Sequence, residues 1–320
     1  MRGFALRLRW HAQLFEYNWK MASARVASRC LPHNPYFIIG LWRSGTTIFH
    51  ELLAAITGWP TPNTWQCFNP STCFLLPPPS SKSAQRPMDG GRITTLSPQE
   101  DEFALLLLGE PSLYRAFIDP RRLGECAEEL WSGAASQEGN ALARWQLFLR
   151  GLSSGAAPLL LKSPTHTFRL PLLRRLFPEA KFIWVGRQIG DVLASNVRMW
   201  HSMVGTHGLW ACPDQALEQF LLKMLDASAL VLTACLDEMP KENLLWVDFE
   251  SLQENRLESL QRVLKFIGLD QSSGSGVPLE HLKQAIAAIP VHQGQRSSSP
   301  LGAAAEKLQR LMAAARHRFG

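Results

Sequence analysis

The stretch Tyr36-Phe-Ile-Ile-Gly-Leu-Trp-Arg-Ser-Gly-Thr-Thr47 decides the fold class. Its first four residues form a short apolar run that is typical of a buried strand. From Thr46 to Ile56 the apolar positions recur at helical spacing, so the strand leads through a glycine-containing turn into a helix. Backbone N–H groups at such a turn, with the helix dipole behind them, form a cradle for an anion.

Residues 40–47 have the spacing of the phosphate-binding pattern GxxxxGK[ST], but Thr46 stands where that pattern has its lysine. In a P-loop nucleoside triphosphatase this lysine reaches the β- and γ-phosphates. Here the loop carries a cation earlier, at Arg43, and adds the hydroxyls of Thr46 and Thr47. We therefore expect a ligand with one terminal phosphate or sulfate group rather than a triphosphate. A plain strand-to-helix turn would have the same spacing.

A second anion site is predicted where Arg187 follows the apolar run Lys181-Phe-Ile-Trp-Val185. Ser195 comes eight residues later on the helix that follows, so that both side chains can hold one phosphate. Arginine suits bidentate contacts with phosphate. An arginine at a strand end also commonly forms a surface ion pair, and the pattern alone leaves both roles open.

Strands alternate with helices along the rest of the chain. Further strands are predicted at 159–161, 181–185 and 244–247, and helices at 100–108, 125–152, 170–177, 191–203, 215–237 and 252–267. The second of these helices is expected to be interrupted near Gly133 and Gly139. Such alternation indicates a parallel sheet. The predicted fold class is α/β, a three-layer sandwich with a central parallel sheet and a P-loop-like nucleotide-binding core.

The chain is predicted to hold one domain, at residues 31–270. Residues 1–30 form a helical extension before it, and residues 271–320 a loose linker followed by a helix at 303–317. Within the domain, residues 58–99 are rich in proline, and so long an irregular segment is typical of a lid or binding loop. We expect this segment to shape an acceptor pocket, although an exposed insertion without function would have the same composition.

Composition excludes several classes of protein. Hydrophobic residues make up 46% of the 320 residues and charged residues 19%, which excludes disordered, collagen-like and coiled-coil chains. No run of about 18 uncharged apolar residues predicts a transmembrane helix. The net charge of +6 suits an anionic small ligand or an acidic surface and is not by itself a nucleic-acid footprint.

The cysteines and the N-terminus bear on the compartment. The six cysteines form no CxxC pair and have no zinc-finger spacing, so we expect free thiols, no metal site and a cytoplasmic location. Arg7 and Arg9 interrupt the apolar residues at the N-terminus, which argues against a secretory signal. This basic helical segment is expected to dock on the domain, and peripheral contact with a membrane is the alternative.

Together these segments resemble the PAPS-dependent sulfotransferases, in which PAPS is 3′-phosphoadenosine 5′-phosphosulfate. Residues 37–47 resemble the 5′-phosphosulfate loop of that family, and residues 187–195 resemble its 3′-phosphate motif. Further stretches similar to a bacterial-type group of the family occur at 97–105, 160–166, 177–182 and 247–252. The resemblance covers roughly residues 36–270. It implies transfer of the sulfuryl group of PAPS to a hydroxyl or amine of a small molecule, lipid or glycan.

The resemblance also implies which residues hold PAPS, with no metal required. The implied nucleotide-binding residues are Arg43, Ser44, Gly45, Thr46, Thr47, Arg187 and Ser195. Two departures put the second site in doubt. The family usually has Arg-Asp-Pro where this chain has Arg187-Gln-Ile189, and the chain lacks an Arg-Lys-Gly-x-x-Gly run near its end. Arg296 is the candidate substitute for that run.

Sulfuryl transfer resembles phosphoryl transfer, in which an enzyme mainly aligns the two partners and stabilises charge. Arg43 would hold the sulfonate, and the ammonium of Lys162 could lie at the bridging oxygen as its bond breaks. The acceptor must lose a proton, and the candidate bases are Glu100, Glu102 and His166, with the two glutamates ranked first. Acids in a first helical turn also stabilise the helix start, and His166 could equally cap the next helix.

Two alternatives remain open at the level of the sequence. A P-loop nucleotide kinase or NTPase would also place a loop like residues 40–47 after a strand, and Leu244-Leu-Trp-Val-Asp248 looks like a Walker B strand. A non-catalytic relative could keep the nucleotide fold without activity. The acceptor and the oligomeric state cannot be read from the chain.

Overall fold

The computed structural model describes residues 2–32, 34–80, 83–132, 140–153, 157–270, 276–289 and 302–320. For residues 2–10, 140 and 141 it describes the backbone only. The expected interruption near Gly133 and Gly139, the candidate cation Arg296 and most of the linker after residue 270 lie outside the described residues.

Four parallel strands form the central sheet, and two short antiparallel strands form a separate hairpin. The strands are β1 Tyr36–Ile39, β2 Ala84–Gln85, β3 Arg92–Ile93, β4 Leu160–Lys162, β5 Lys181–Gly186 and β6 Leu244–Asp248. The sheet has the order β4-β1-β5-β6, with Ile38 opposite Lys162 and Ile183. Because all four strands are parallel, their carboxyl ends lie at one edge, and the residues that follow them meet there.

Helices cover both faces of the sheet. They are α1 Arg2–Val26, α2 Thr46–Thr57, α3 Thr64–Phe68, α4 Glu102–Leu107, α5 Leu123–Trp131, α6 Asn140–Leu152, α7 Leu170–Leu176, α8 Ile189–His207, α9 Asp214–Glu238, α10 Phe249–Glu254, α11 Arg256–Phe266, α12 Leu279–Ala288 and α13 Ala303–Phe319.

The strands bury both of their faces, which explains their nearly continuous apolar sequences. Phe37, Phe182 and Trp184 point into the larger core, which holds helices α4 to α9 and α13. Ile38 and Ile183 alternate with them and point into a smaller core with α2, α10, α11 and α12. The predicted three-layer α/β fold with a central parallel sheet is therefore confirmed.

Some boundaries differ from the predicted ones. The strand expected at 159–161 spans Leu160–Lys162, so the candidate Lys162 ends the strand itself. The helix expected at 252–267 is two helices, α10 and α11, which meet at Asn255. The proline-rich segment contains α3 and the β2–β3 hairpin, where residues 85 and 92 pair. Local turns in this segment are stabilised by polar caps. The sequence therefore contains no apolar periodicity from which they could be predicted.

The terminal segments pack onto the domain. The α1 helix lies against α6 and buries Trp19, Ala22 and Val26, in agreement with a docking role. After the predicted domain end, α12 contacts α2 and α11, and α13 contacts α9 and β6. The described parts of residues 271–320 thus contribute to the same fold rather than forming a separate tail.

One described helix, α9, is long and apolar enough to cross a membrane by length and composition. Its most apolar window has a mean hydropathy of 1.5, and 44% of that window is buried inside the protein. The buried face of α9 packs against α5 and α13, as expected for a core helix, which meets the same criteria.

Candidate functional site

The loop between β1 and α2 adopts a tight, glycine-dependent conformation at the carboxyl edge of the sheet. Gly40 and Gly45 have φ angles of 141° and 100°, which favour glycine. A Cβ at Gly40 would lie 2.5 Å from the Val185 carbonyl oxygen, and one at Gly45 would lie 2.1 Å from the Phe249 ring. The Thr167 hydroxyl accepts from the Gly40 N–H and donates to the Gly40 carbonyl, both at 2.9 Å.

An open cavity of about 690 Å³ lies over this loop. Such a volume is in the range of small-molecule and cofactor sites. Six of the seven predicted nucleotide-binding residues line it, namely Arg43, Gly45, Thr46, Thr47, Arg187 and Ser195. Ser44 does not line it, because its buried side chain faces a small void beneath the loop and its N–H donates to the Leu41 carbonyl.

The structure brings the two predicted anion sites together. Arg43 Nε donates to Ser195 Oγ at 3.0 Å, across 152 residues of sequence. Arg187 Nη1 donates to the Arg43 carbonyl oxygen at 3.1 Å, and its guanidinium lies 4.9 Å from the centre of the Phe249 ring. The loop and the start of α8 therefore form one cationic wall of the cavity.

The backbone amides of the altered segment Gln188-Ile189 donate hydrogen bonds to side chains of other helices. The N–H of Gln188 donates to Glu250 Oε1 at 3.0 Å, and the N–H of Ile189 donates to Gln309 Oε1 at 3.3 Å. A proline would have no N–H at the second position. Side chains from α10 and α13 thus satisfy the amides that begin α8, and Arg187 keeps its place at the cavity.

The hairpin of the proline-rich segment forms the opposite wall and carries an acid to the loop. Asp89 Oδ2 lies 3.3 Å from Arg43 Nη1, while its Oδ1 accepts from Arg86 Nε at 3.1 Å and from the Gly91 N–H at 3.0 Å. Burial opposes ionisation of Asp89, but Arg86, the Gly91 amide and Arg43 outweigh it, so the pKa of Asp89 is lowered. Its carboxylate is therefore charged at neutral pH.

Lys162 lies directly below the loop. Its side chain is only 1% exposed, and Nζ donates to Glu100 Oε1 at 2.6 Å and to Thr47 Oγ1 at 3.2 Å. Tyr114 donates to the second Glu100 oxygen, and Trp42 Nε1 donates to the Tyr114 oxygen at 3.1 Å. Burial, and then the charge of Glu100, raise the pKa of Tyr114 well above its usual value, so the phenol stays protonated and remains a donor.

The other two candidate bases lie elsewhere. Glu102 is fully buried, and Arg169 Nη1 and Nη2 donate to its two oxygens at 2.5 and 3.1 Å. His166 is also fully buried, with Nε2 at 2.9 Å from Asp101 Oδ1. Glu102, His166, Glu100 and Lys162 are all absent from the lining of the cavity over the loop. Glu100 differs from the other two candidate bases because it contacts Lys162, whose Nζ reaches Thr47 of the lining, and because its side chain retains 14% exposure.

Several residues of the site were not found from the sequence. Tyr114 and Asp89 belong to irregular segments without a recognisable motif. His50 had a usable signal, because it follows Thr47 by three residues and so lies on the same face of α2. Its Nε2 lies 2.6 Å from Thr61 Oγ1, and burial, followed by the charge of Lys162, holds the pKa of His50 well below its usual value. His50 is therefore a neutral neighbour of Lys162.

Among the residues that the structure describes, no group of three or more His, Cys, Asp or Glu side chains could hold a metal ion. All six cysteines are free thiols.

Comparison with known proteins shows which proteins this chain is similar to. The sequence profile of the Sulfotransferase family matches residues 35–273. The omega-hydroxy-beta-dihydromenaquinone-9 sulfotransferases Stf3 of Mycobacterium bovis and Mycobacterium tuberculosis are each 33% identical over 210 residues, which cover 58% of this chain and 50% of the relative. The chain spans about half the length of the curated relatives it matches.

Solved structures have the same fold. Sulfotransferase STF1 from Mycobacterium tuberculosis H37Rv superposes with a TM-score of 0.60 at 18% identity, covering 86% of this chain and 81% of that one. Sulfotransferase STF9 from Mycobacterium avium gives a TM-score of 0.62 at 15% identity, covering 92% and 78%. At such identities the likeness concerns the fold alone. Since the family profile covers most of the sequence, including the loop, Lys162 and Ser195, this chain belongs to the sulfotransferase family.

Proposed function

We propose that this protein transfers the sulfuryl group of PAPS to the hydroxyl of an apolar acceptor. The observation that carries the proposal is the convergence of Arg43, Arg187 and Ser195 over a loop that lacks the P-loop lysine. A Cβ at Gly45 would collide with Phe249, so this glycine preserves the tight strand-to-helix turn. Backbone N–H groups at such a turn suit a phosphosulfate. The cationic wall suits a second phosphate on the same nucleotide.

In the proposed reaction, the acceptor oxygen bonds to sulfur while the bond from sulfur to the bridging oxygen breaks. The acceptor proton passes to the Glu100 carboxylate, and the bisphosphate leaves with the bridging electrons. Arg43 and the loop amides hold anionic oxygens in place, which a preorganised site does without further reorganisation. Lys162, beside the Thr47 hydroxyl, supplies positive charge next to the loop as negative charge develops.

Glu100 is the base that the geometry favours. It is the one member of the Glu100-Asp-Glu102 run that contacts Lys162 and retains exposure. Its two partners, Lys162 and Tyr114, both donate to it, so its orientation is fixed before an acceptor binds. Glu102 already has four donors to its carboxylate from Ser112, Thr165 and Arg169, which leaves it without room for an acceptor hydroxyl.

An apolar acceptor is supported by the aromatic side chains next to Glu100. Phe103 lies 5.1 Å from the Tyr114 ring and 4.7 Å from the Phe68 ring, and Phe68 is 45% exposed. The Stf3 relatives are named for a hydroxylated menaquinone, a lipid-like acceptor. We therefore expect a hydroxyl on a lipid-like molecule rather than on a glycan.

A lipid-like acceptor is compatible with peripheral contact with a membrane through α1. Opposite the docked face of this helix, Leu14, Tyr17 and Met21 are 54%, 63% and 47% exposed, and Lys20 and Arg25 are exposed beside them. Exposed apolar residues flanked by cations are typical of helices that lie on anionic lipid. Sedimentation with vesicles of phosphatidylcholine, with and without phosphatidylglycerol, tests this contact. A cytoplasmic location stays a prediction from the cysteine content.

The first experiment is calorimetric titration with 3′-phosphoadenosine 5′-phosphate and, separately, with ATP plus magnesium. Micromolar binding of the bisphosphate and weak binding of ATP are expected. The reverse result would support a kinase. Incubation with PAPS and a hydroxylated isoprenoid quinol, followed by mass spectrometry, then distinguishes an enzyme from a relative that only binds the nucleotide.

The base is tested by two matched substitutions, Glu100→Gln and Glu102→Gln. With Glu100→Gln we expect turnover to fall by about 10²-fold or more, while the affinity for the bisphosphate is retained. With Glu102→Gln we expect a loss of folding stability, since it unbalances a buried ion pair. Equal turnover of the Glu100 variant and the wild type would contradict the assignment.

A further inference from the structure

The second anion site has lost part of its usual sequence and yet keeps a surplus of cations. Gln188 and Ile189 replace the acid and the proline that usually follow the arginine, and their amides bind Glu250 and Gln309. One further arginine, Arg198, lines the same cavity from α8.

The position of Arg198 follows from helical geometry. It lies three residues after Ser195, so that both side chains are on one face of α8. Ser195 accepts from Arg43, so the residue one turn further along α8 extends the cationic wall formed by Arg43 and Arg187. Asn196, next to Ser195, donates to the Trp42 carbonyl and to the Val192 carbonyl, both at 2.9 Å, and ties this turn of α8 to the loop.

The charges around the cavity are unbalanced. Burial lowers the pKa of Arg187. The negative charges of Asp191 and Glu250 oppose that effect, and the positive charges of Arg43 and Arg198 add to it. Asp191 lies 3.8 Å from Arg187, and Asp89 lies 3.3 Å from Arg43. No carboxylate of the described residues forms an ion pair with Arg198. Five arginines line the cavity, with Arg43, Arg187 and Arg198 on the side of the loop and α8 and with Arg86 and Arg92 on the hairpin. A dianionic ligand would relieve the mutual repulsion of Arg43, Arg187 and Arg198.

We propose that Arg198 binds the 3′-phosphate of the nucleotide together with Arg187 and Ser195. The inference rests on the proposed function, since it takes a nucleotide with a 3′-phosphomonoester as the ligand. In this chain Arg198 is a specificity-determining residue, because its guanidinium offers paired N–H donors to the 3′-phosphate. Adenosine 5′-phosphate has no 3′-phosphate and so gains nothing from this contact. It compensates for the altered residues after Arg187.

The test compares two ligands and three substitutions, of which Arg198→Met and Arg92→Met form the matched pair. Arg198→Met is matched with Arg92→Met, because Arg92 lines the same cavity from the hairpin and donates to Ser83 instead of facing α8. Each variant loses one positive charge from the cavity. Both proteins and the wild type are titrated with 3′-phosphoadenosine 5′-phosphate and with adenosine 5′-phosphate at the same ionic strength, and their melting temperatures are recorded.

With Arg198→Met we expect the affinity for the bisphosphate to fall by about 10- to 100-fold, as for loss of a charged hydrogen-bonding partner. The affinity for adenosine 5′-phosphate is expected to stay within about twofold, and Arg92→Met to change both affinities by less than about threefold. Arg198→Lys, which keeps the charge without the paired donors, is expected to lie between the wild type and Arg198→Met.

Two results would overturn the assignment of Arg198. One is an Arg198→Met variant that still discriminates between the ligands as the wild type does. The other is an equal loss for both ligands, or an equal loss with Arg92→Met, which would indicate general electrostatic attraction. A wild-type protein that binds the bisphosphate no more tightly than adenosine 5′-phosphate would instead refute the proposed function, and the role of Arg198 with it.

Discussion

Replacing Asp89 with asparagine is expected to strengthen nucleotide binding, although the residue lies in the binding cavity. The Asp89 carboxylate contacts the Arg43 guanidinium at 3.3 Å. A sulfate or phosphate group on Arg43 competes with that carboxylate for the same donors. Asparagine keeps the oxygen that accepts from the Gly91 N–H and removes the charge, so the hairpin retains its turn.

The size of the effect follows from the exposure of the pair. Arg43 and Asp89 side chains are 23% and 28% exposed, so the pair is partly solvated. Exposed ion pairs contribute about 0.2–1 kcal/mol. Because 1.4 kcal/mol corresponds to a tenfold change in affinity, removing this competitor is expected to increase affinity by at most about fivefold. The Arg86–Asp89 pair is also lost, so a small decrease in the melting temperature is expected.

Titration calorimetry with 3′-phosphoadenosine 5′-phosphate at physiological ionic strength measures the effect. Glu51→Gln is the matched control, because Glu51 lines the same cavity but pairs with Arg86 at 3.5 Å and not with Arg43. Tighter binding with Asp89→Asn alone supports direct competition. An unchanged or weaker affinity with Asp89→Asn, or an equal gain with Glu51→Gln, would refute the reasoning.

Three further predictions concern the loop, the reaction and the fold. Lys162→Met is expected to reduce turnover, measured by product formation, by about 10²-fold or more. Its affinity for the bisphosphate, measured by calorimetry, is expected to stay within about threefold of the wild type. Retained turnover would contradict the proposed role of Lys162. Gly45→Ala is expected to destabilise the fold by about 1–3 kcal/mol, as measured by denaturant titration, because the new Cβ would meet Phe249. The same change is expected to abolish nucleotide binding, and unaltered binding would contradict this prediction. Burial raises the pKa of the Glu110 carboxyl from its usual value of 4.5 to about 7 in the folded protein. The protonated carboxyl therefore stabilises the fold fully at a pH below 4.5, and this stabilisation is lost as the pH rises through about 7. Melting temperatures of the wild type are therefore expected to fall between pH 5 and pH 8 more steeply than those of Glu110→Gln, and parallel curves would contradict the assignment.

The sheet and the loop could be predicted because their sequence signals are local. Four apolar runs of strand length alternate with helical periodicity, and a strand buried on both faces needs little else. The glycine spacing of residues 40–47 fixes the turn, since both Gly40 and Gly45 take left-handed φ angles. The contact between Arg43 and Ser195 follows from parallel topology, which places the ends of β1 and β5 side by side.

The remaining parts of the site depend on contacts between distant segments. Asp89 reaches Arg43 only because a hairpin inside an irregular segment folds back over the loop. Tyr114 reaches Glu100 from a short 3₁₀ helix, Leu113–Phe117, whose sequence has no distinctive period. Such contacts are set by packing of the whole domain, and a single sequence contains no periodic or spacing signal for them.

The acidic run at residues 100–102 illustrates why the sequence alone could not distinguish among the candidate bases. The three consecutive acids pair with three basic residues from one short segment: Glu100 with Lys162, Asp101 with His166, and Glu102 with Arg169. These pairs join the start of α4 to the segment that follows β4.

Two of the three contacts, Asp101 with His166 and Glu102 with Arg169, are buried. Burial suits a structural anchor, because breaking a buried ion pair such as that of Glu102 and Arg169 costs about 3–5 kcal/mol. The third lies at the end of the row, next to the Thr47 hydroxyl, and keeps one partly exposed carboxylate. The anchors hold Glu100 against Lys162 at a fixed distance from the loop, so the two inner acids position the outer one. In the proposed mechanism Glu100 would serve the reaction and the other two acids the fold, and what separates Glu100 from them is its partial exposure and its contact with Lys162 beside Thr47.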